Sequence, residues 1–241
     1  MSYFIENNLR ILTDTKLGDV ESLRRALKIL HDQYHVPNVV ITSIPLNPWL
    51  ASALPTWIRP ISPNISCGSS SSSSPSRSSS PFSVMSGDTA TDSYLLCISS
   101  TIDPASHTST SFSTVHAQVV PLIPGYFSGV GDLFSALLLA HFQPTPTPTP
   151  PSSISTPLSH ACSLALSKTH RLLLLTQSNT LSLPEEERLP SDDEQDREAP
   201  LRKTRRMRGR ELALIKGQEI IRGEAEGVRR DMIPWDGFWE S

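Results

Sequence analysis

The chain has 241 residues, 37% hydrophobic but only 6% aromatic, with 21 prolines and a formal net charge of -3. That length holds one ordinary domain or two small ones, and the slight negative charge argues against a dedicated nucleic-acid binder. Cys67, Cys97 and Cys162 fit neither a disulfide framework nor a zinc site, no signal-peptide layout opens the chain, and no apolar run reaches the roughly 20 residues of a membrane helix, so a cytoplasmic protein without membrane contact is expected.

In chain order, YFIENNLRIL at 3–12 is a weak strand candidate. Val20, Leu23, Leu27 and Leu30 then recur at three and four, which predicts an amphipathic helix. Asp19 is its N-cap, and Pro37 should end it near His35. NVVITSI at 38–44 is short, β-branched and apolar, as expected of a parallel strand covered on both faces. Residues 45–92 read as a largely disordered Ser/Pro-rich insert, with 11 serines between 66 and 80. SYLLCISS at 93–100 and FSTVHAQVVPL at 112–122, with Val115, Ala117 and Val119 alternating, predict an antiparallel hairpin at a sheet edge. A helix from about Gly131 to Phe142 follows, and PTPTPTPP at 144–151 stops it as a stiff spacer. A second helix is expected over 159–176 and an acidic loop over 184–200. The segment 201–223 is basic first and then amphipathic, with Leu212, Ile215 and Ile220 on its apolar side. Trp235, Phe238 and Trp239 are candidate anchors in the tail.

The stretch SGVGDLFSALLLAHF, 128–142, carries the most chemistry. Glycines let backbone N–H groups converge on a ligand, and at a helix start those groups are unpaired and carry partial positive charge. Gly129, Val130 and Gly131 thus suit a phosphate or the charge that builds on a transferring phosphoryl group. Asp132 can accept a proton from a hydroxyl held beside it. An aspartate at this position also serves as an ordinary first-turn acid, and a lone G-x-G-D does not separate the two. The string is neither a P-loop, which needs a lysine after its glycines, nor a dinucleotide fingerprint.

Other groups offer less. His31 and His35 are four apart on one helix but lack acids or thiols to complete a metal site. The basic run 202–210 has six Lys/Arg and no acid; it suits a solvated helix face, with a nuclear import receptor or nucleic acid as the alternative.

The string from Phe127 to Leu137 resembles the signature of the ribokinase-like kinases, and of pyridoxal kinases in particular. In family order, 11–46 resembles their helix and strand, YLLCISS a later strand, and RRMRGRELALIKGQEII (205–221) the terminal helix of the fungal type. The resemblance implies an α/β chain: an incomplete ribokinase-like three-layer fold with a truncated sheet, C-terminal helices and long disordered insertions. It implies a kinase domain over 1–142 and 159–223, split by a Pro/Thr linker at 143–158, with a tail at 224–241. It also implies ATP-dependent phosphorylation of the 5′-hydroxymethyl of pyridoxal, pyridoxine or pyridoxamine, with a divalent metal (Mg2+), in a homodimer. Asp132 would be the catalytic base, Gly129, Val130 and Gly131 the anion hole, and Thr42 and Ser43 contacts to ATP; no residue is assigned to the metal. The family's N-terminal half has no counterpart, and its Asn-x-x-Glu motif is replaced by Glu6-Asn7-Asn8-Leu9-Arg10. A kinase for another alcohol, such as hydroxymethylpyrimidine, and a catalytically inactive pseudokinase or interaction protein therefore stay open as alternatives.

Overall fold

The computed structural model describes residues 9–60, 93–102, 112–125, 127–144, 155–188, 197, 201, 204, 207–223 and 230–240. The expected serine-rich disorder at 61–92, most of the Pro/Thr spacer and most of the acidic loop lie outside the described residues.

Helix α1 (Val20–Asp32) begins where the sequence predicts. Asp19 Oδ1 accepts from the Ser22 amide at 2.7 Å, and the Ser22 hydroxyl accepts from the Asp19 amide at 3.2 Å, a reciprocal capping box. These bonds stabilise the Asp19 carboxylate and hold its pKa below the usual value. Leu23, Ala26 and Leu27 are buried on one face. Each fully buried leucine contributes roughly 1.5–3 kcal/mol relative to an exposed one.

Strand β1 (Asn38–Pro45) follows, then helix α2 (Pro48–Ala53), started by a proline that fits the first helical turn. Strands β2 (Tyr94–Thr101) and β3 (Thr114–Pro121) pair antiparallel over their whole length, as the hairpin reading expects. Helix α3 (Val130–His141) and the long helix α4 (Pro157–Leu181) pack on each other. The turn α5 (Glu185–Arg188), helix α6 (Gln218–Arg222) and strand β4 (Ile233–Pro234) complete the described elements.

The strands form one sheet in the order β1-β2-β3-β4, with every pair antiparallel. Alternation sends Val39, Ile41, Leu96, Ile98, Val115, Ala117 and Val119 to one face. There they meet α1, α2 and the tail residues Trp235 and Phe238. Cys97, with Val40 and Val120, faces the other way onto Phe134, Leu137, Leu158 and Cys162 of α3 and α4. Helices, sheet and helices make three layers.

Several expectations need correction. Segment 3–12 is no strand where it is described: residues 9–13 are helical. Strand β1 runs antiparallel to β2, not parallel. Its apolar content reflects burial on two faces, and helices supply that burial whichever way the strand points. The hairpin β2–β3 lies in the middle of the sheet, because β1 and β4 flank it. Residues 46–60 belong to the core rather than to a disordered insert, since Leu46, Leu50, Leu54 and Ile58, four apart, are all buried. Helix α4 starts at Pro157 and ends at Leu181, outlasting 159–176 at both ends, with Thr156 and Ser159 as its capping box. Of the expected helix over 205–221, residues 207 and 208 are helical, and from 209 the chain runs through turns to the five-residue α6. Ile215, placed on an apolar face, is 86% exposed.

The tail is anchored as its aromatics suggest. The Trp235 amide donates to Val115 O at 2.9 Å, and Trp235 and Phe238 meet edge to face at 4.9 Å. The Arg24 guanidinium donates to Glu240 O at 2.6 Å and to Phe238 O. A buried polar chain also reaches the tail: Trp239 Nε1 donates to Ser113 O at 2.9 Å, and the Ser113 and Ser100 hydroxyls are 2.8 Å apart. Ser100 Oγ lies 2.8 Å from His31 Nε2, and His31 Nδ1 lies 2.6 Å from Val36 O. A carbonyl only accepts, so Nδ1 carries the proton and Nε2 accepts from Ser100. Burial lowers the His31 pKa, which favours that neutral form.

The serines of α4 hold the other end of the tail. Ser163 Oγ donates to Ser159 O and accepts from the Met232 amide at 2.9 Å. Ser167 Oγ donates to Ser163 O and accepts from the Arg230 amide at 2.8 Å. Four helical residues advance about 6 Å and two extended residues about 6.6 Å, so the two rows match. No described helix is long and apolar enough to cross a membrane.

Candidate functional site

Phe127 and Ser128 lead into α3. Phe127 is buried, and the Ser128 amide donates to Arg210 O at 2.8 Å within a parallel bridge to Glu211. Gly129 follows as the N-cap in the left-handed region, φ 83°, ψ 10°, a conformation that a β-carbon would strain. The helix closes its first bond from the Leu133 amide to Gly129 O at 3.0 Å. Among the described residues, the amides of Val130, Gly131 and Asp132 have no acceptor, as befits the first turn of a helix. No side chain caps them. Nothing stands within 4 Å of where a β-carbon on Gly131 would lie. The tip is open on that side.

Asp132 is the third residue of α3 and is exposed. It makes no ion pair and no capping bond among the described residues. The aspartate that starts α1 is, by contrast, fully used as a cap. Phe134 and Leu137, on the far side of the same helix, are buried against α4 and the sheet and fix the angle at which the tip projects.

Thr42 and Ser43 lie inside β1 at a register shift between Ile41 and Ile44. Ser43 takes φ 57°, unusual for a residue with a β-carbon. The bulge turns both partly exposed side chains out of the regular alternation. Among the described residues, no hydrogen bond joins either to Gly129–Asp132.

The remaining titratable groups give no second centre. Burial pushes the Cys162 thiol up to about 12 and Cys97 well above its usual value, which leaves two inert thiols inside the core. His31 is bonded inside the fold, and His35 is exposed at φ 53° beyond the helix end. Among the described residues, no group of three or more His, Cys, Asp or Glu stands ready for a metal ion. They do not build a magnesium cage.

The sequence gives little hint of what α4 does behind this tip. Thr176 Oγ1 accepts from the Ala213 amide at 3.0 Å, and the Thr180 hydroxyl lies 2.8 Å from Gly209 O. Gly217 packs so closely that a β-carbon would stand 2.1 Å from Leu172 Cδ1. Positions 209, 213 and 217 therefore meet 180, 176 and 172, each set four apart, and the pairing holds the segment that flanks Ser128 out of a helix. The only advance signal is the four-residue spacing of Thr176 and Thr180.

No family model matches the chain. A Schizosaccharomyces pombe protein provisionally described as a pyridoxal kinase is 33% identical over 99 residues, which are 40% of this chain and 29% of the relative. Pyridoxal kinase from Leishmania donovani in complex with ADP superposes with a TM-score of 0.50 at 16% identity, over 95% of this chain and 50% of that one. Pyridoxal kinase from Trypanosoma brucei gives 0.49 at 16% identity, over 95% and 49%. The chain thus spans under a third of the curated relative and about half of the solved kinases. The fold of the chain resembles that of about half of a pyridoxal kinase.

Proposed function

We propose that this chain is the nucleotide-handling part of a pyridoxal kinase, transferring the terminal phosphoryl group of ATP to the 5′-hydroxymethyl of pyridoxal, pyridoxine or pyridoxamine. The observation that supports this most is the tip of α3, where an exposed carboxylate, Asp132, shares one helical turn with amides that lack acceptors. Asp132 takes the proton of the alcohol. The freed lone pair forms the new P–O bond as the bond to the β-phosphate oxygen breaks, and ADP leaves. The amides of Gly129, Val130 and Gly131 receive the charge spread over the phosphoryl oxygens, and amides fixed at a helix start need little reorganisation to do so. Thr42 and Ser43, on the bulge of β1, contact ATP. Magnesium, arriving with the nucleotide, supplies charge neutralisation.

Transfer of label from γ-labelled Mg-ATP tests the alcohol. Pyridoxal is expected to accept it and hydroxymethylpyrimidine to fail as an acceptor. Transfer to hydroxymethylpyrimidine alone would replace pyridoxal in this reading while keeping the kinase.

A further inference from the structure

We propose that Thr176 of α4, which touches neither nucleotide nor alcohol, is a positioning residue for the anion hole. The inference rests on the reading of Gly129–Gly131 as that hole. Three linked contacts carry it. The hydroxyl of Thr176, 2% exposed, donates to Leu172 O at 2.8 Å, so its lone pair is left to accept the Ala213 amide at 3.0 Å. The Thr180 hydroxyl lies 2.8 Å from Gly209 O and 2.9 Å from Thr176 O, sharing its one hydrogen between them, and Gly217 seats against Leu172. The backbone clamped between them reaches Ser128, whose amide donates to Arg210 O at 2.8 Å. Gly129 comes next in the chain, and its open side faces Leu212, whose Cδ1 would be 3.9 Å from a β-carbon there.

The left-handed conformation of Gly129 aims the following amides, and glycine has little preference of its own among backbone conformations. Something outside the glycine must select it. Ser128 on one side and α3 on the other do so, and Thr176 fixes the segment to which Ser128 is bonded. A hydroxyl is needed at 176 because it serves a backbone donor and a backbone acceptor at once. Valine has the same shape and serves neither.

The test compares Thr176→Val with Thr176→Ser in the full chain, using amide NMR of the ligand-free protein and calorimetric titration with a non-hydrolysable ATP analogue, which carries the terminal phosphoryl group. In Thr176→Val the amide resonances of Ser128, Gly129 and Gly131 are expected to move, and the analogue to bind about tenfold more weakly. Thr176→Ser, which keeps the hydroxyl, should restore both to within roughly twofold. Unmoved Gly129 and Gly131 amides with unchanged analogue affinity in Thr176→Val would overturn the proposal. Moved amides in a protein whose wild type ignores the analogue would refute the anion-hole reading while sparing the brace. If Thr176→Val does not fold, Thr180→Val loosens the other end of the clamp and is expected to give the same displacement; unmoved amides there would again overturn it.

Discussion

Gly217 shows how much one hydrogen atom can matter. A β-carbon there would sit 2.1 Å from Leu172 Cδ1 and 3.2 Å from Ala213 O, and Leu172 is fully buried. Gly217→Ala is expected to lower unfolding free energy by about 1–3 kcal/mol, read by urea denaturation. A neutral result would mean that Leu172 has room to turn away. His170 offers a pH handle. Arg230 Nη2 donates to its Nε2 at 2.9 Å, so the ring must be neutral, and burial together with the arginine cation pushes its pKa down to about 4. Unfolded, it returns to near 6.5. Between those values the unfolded chain holds the extra proton, so stability is complete above pH 6.5 and falls as the solution is acidified towards pH 4. His31 and His141, whose pKa values burial also lowers, act in the same direction. Urea midpoints measured from pH 7 to pH 4 should fall, and less steeply in His170→Gln. An identical slope in both proteins would take His170 out of the effect.

Elements differ in how far their sequences announce them. Helix α1 was legible because its cap, its three-and-four spacing and its stop are local signals in Asp19, Leu23, Leu27 and Pro37. The β2–β3 hairpin was legible for the same reason. The direction of β1 was not, since Val39, Val40 and Ile41 report burial on both faces and not the sense of the chain. The segment 205–221 misled because helix-forming residues there are overruled by Thr176, Thr180 and Leu172 of a distant element. The serine row of α4 was hidden as well. Ser163 and Ser167 look like surface residues, yet they are buried and read the tail's backbone. Ser163→Ala would leave the buried Met232 amide without its acceptor, a loss of about 1–3 kcal/mol. Hydrogen exchange at Met232 should accelerate in that variant, while exchange in the middle of α1 changes less. Equal acceleration everywhere would mean that the tail does not open independently.

At the scale of the molecule, the three layers place one helix tip, at Gly129–Asp132, free of the core on a helix held to it by Phe134 and Leu137. That tip was legible in the sequence as a motif: its glycines, its aspartate and the apolar run behind them stand where the reading put them. Its supports were not, because the contacts to Arg210 O and to Thr176 join segments 37 to 82 residues apart. The bulge at Thr42 and Ser43 was not legible, since nothing in NVVITSI marks the register shift. The central claim is that the carboxylate on this tip deprotonates an alcohol while the amides beside it hold the phosphoryl group. The most direct measurement is pyridoxal-dependent ADP release by the full chain, wild type against Asp132→Asn. Loss of a general base is expected to lower turnover by about 10²–10⁴-fold with ADP affinity preserved. Equal turnover in the two proteins, or none in either, would contradict the claim.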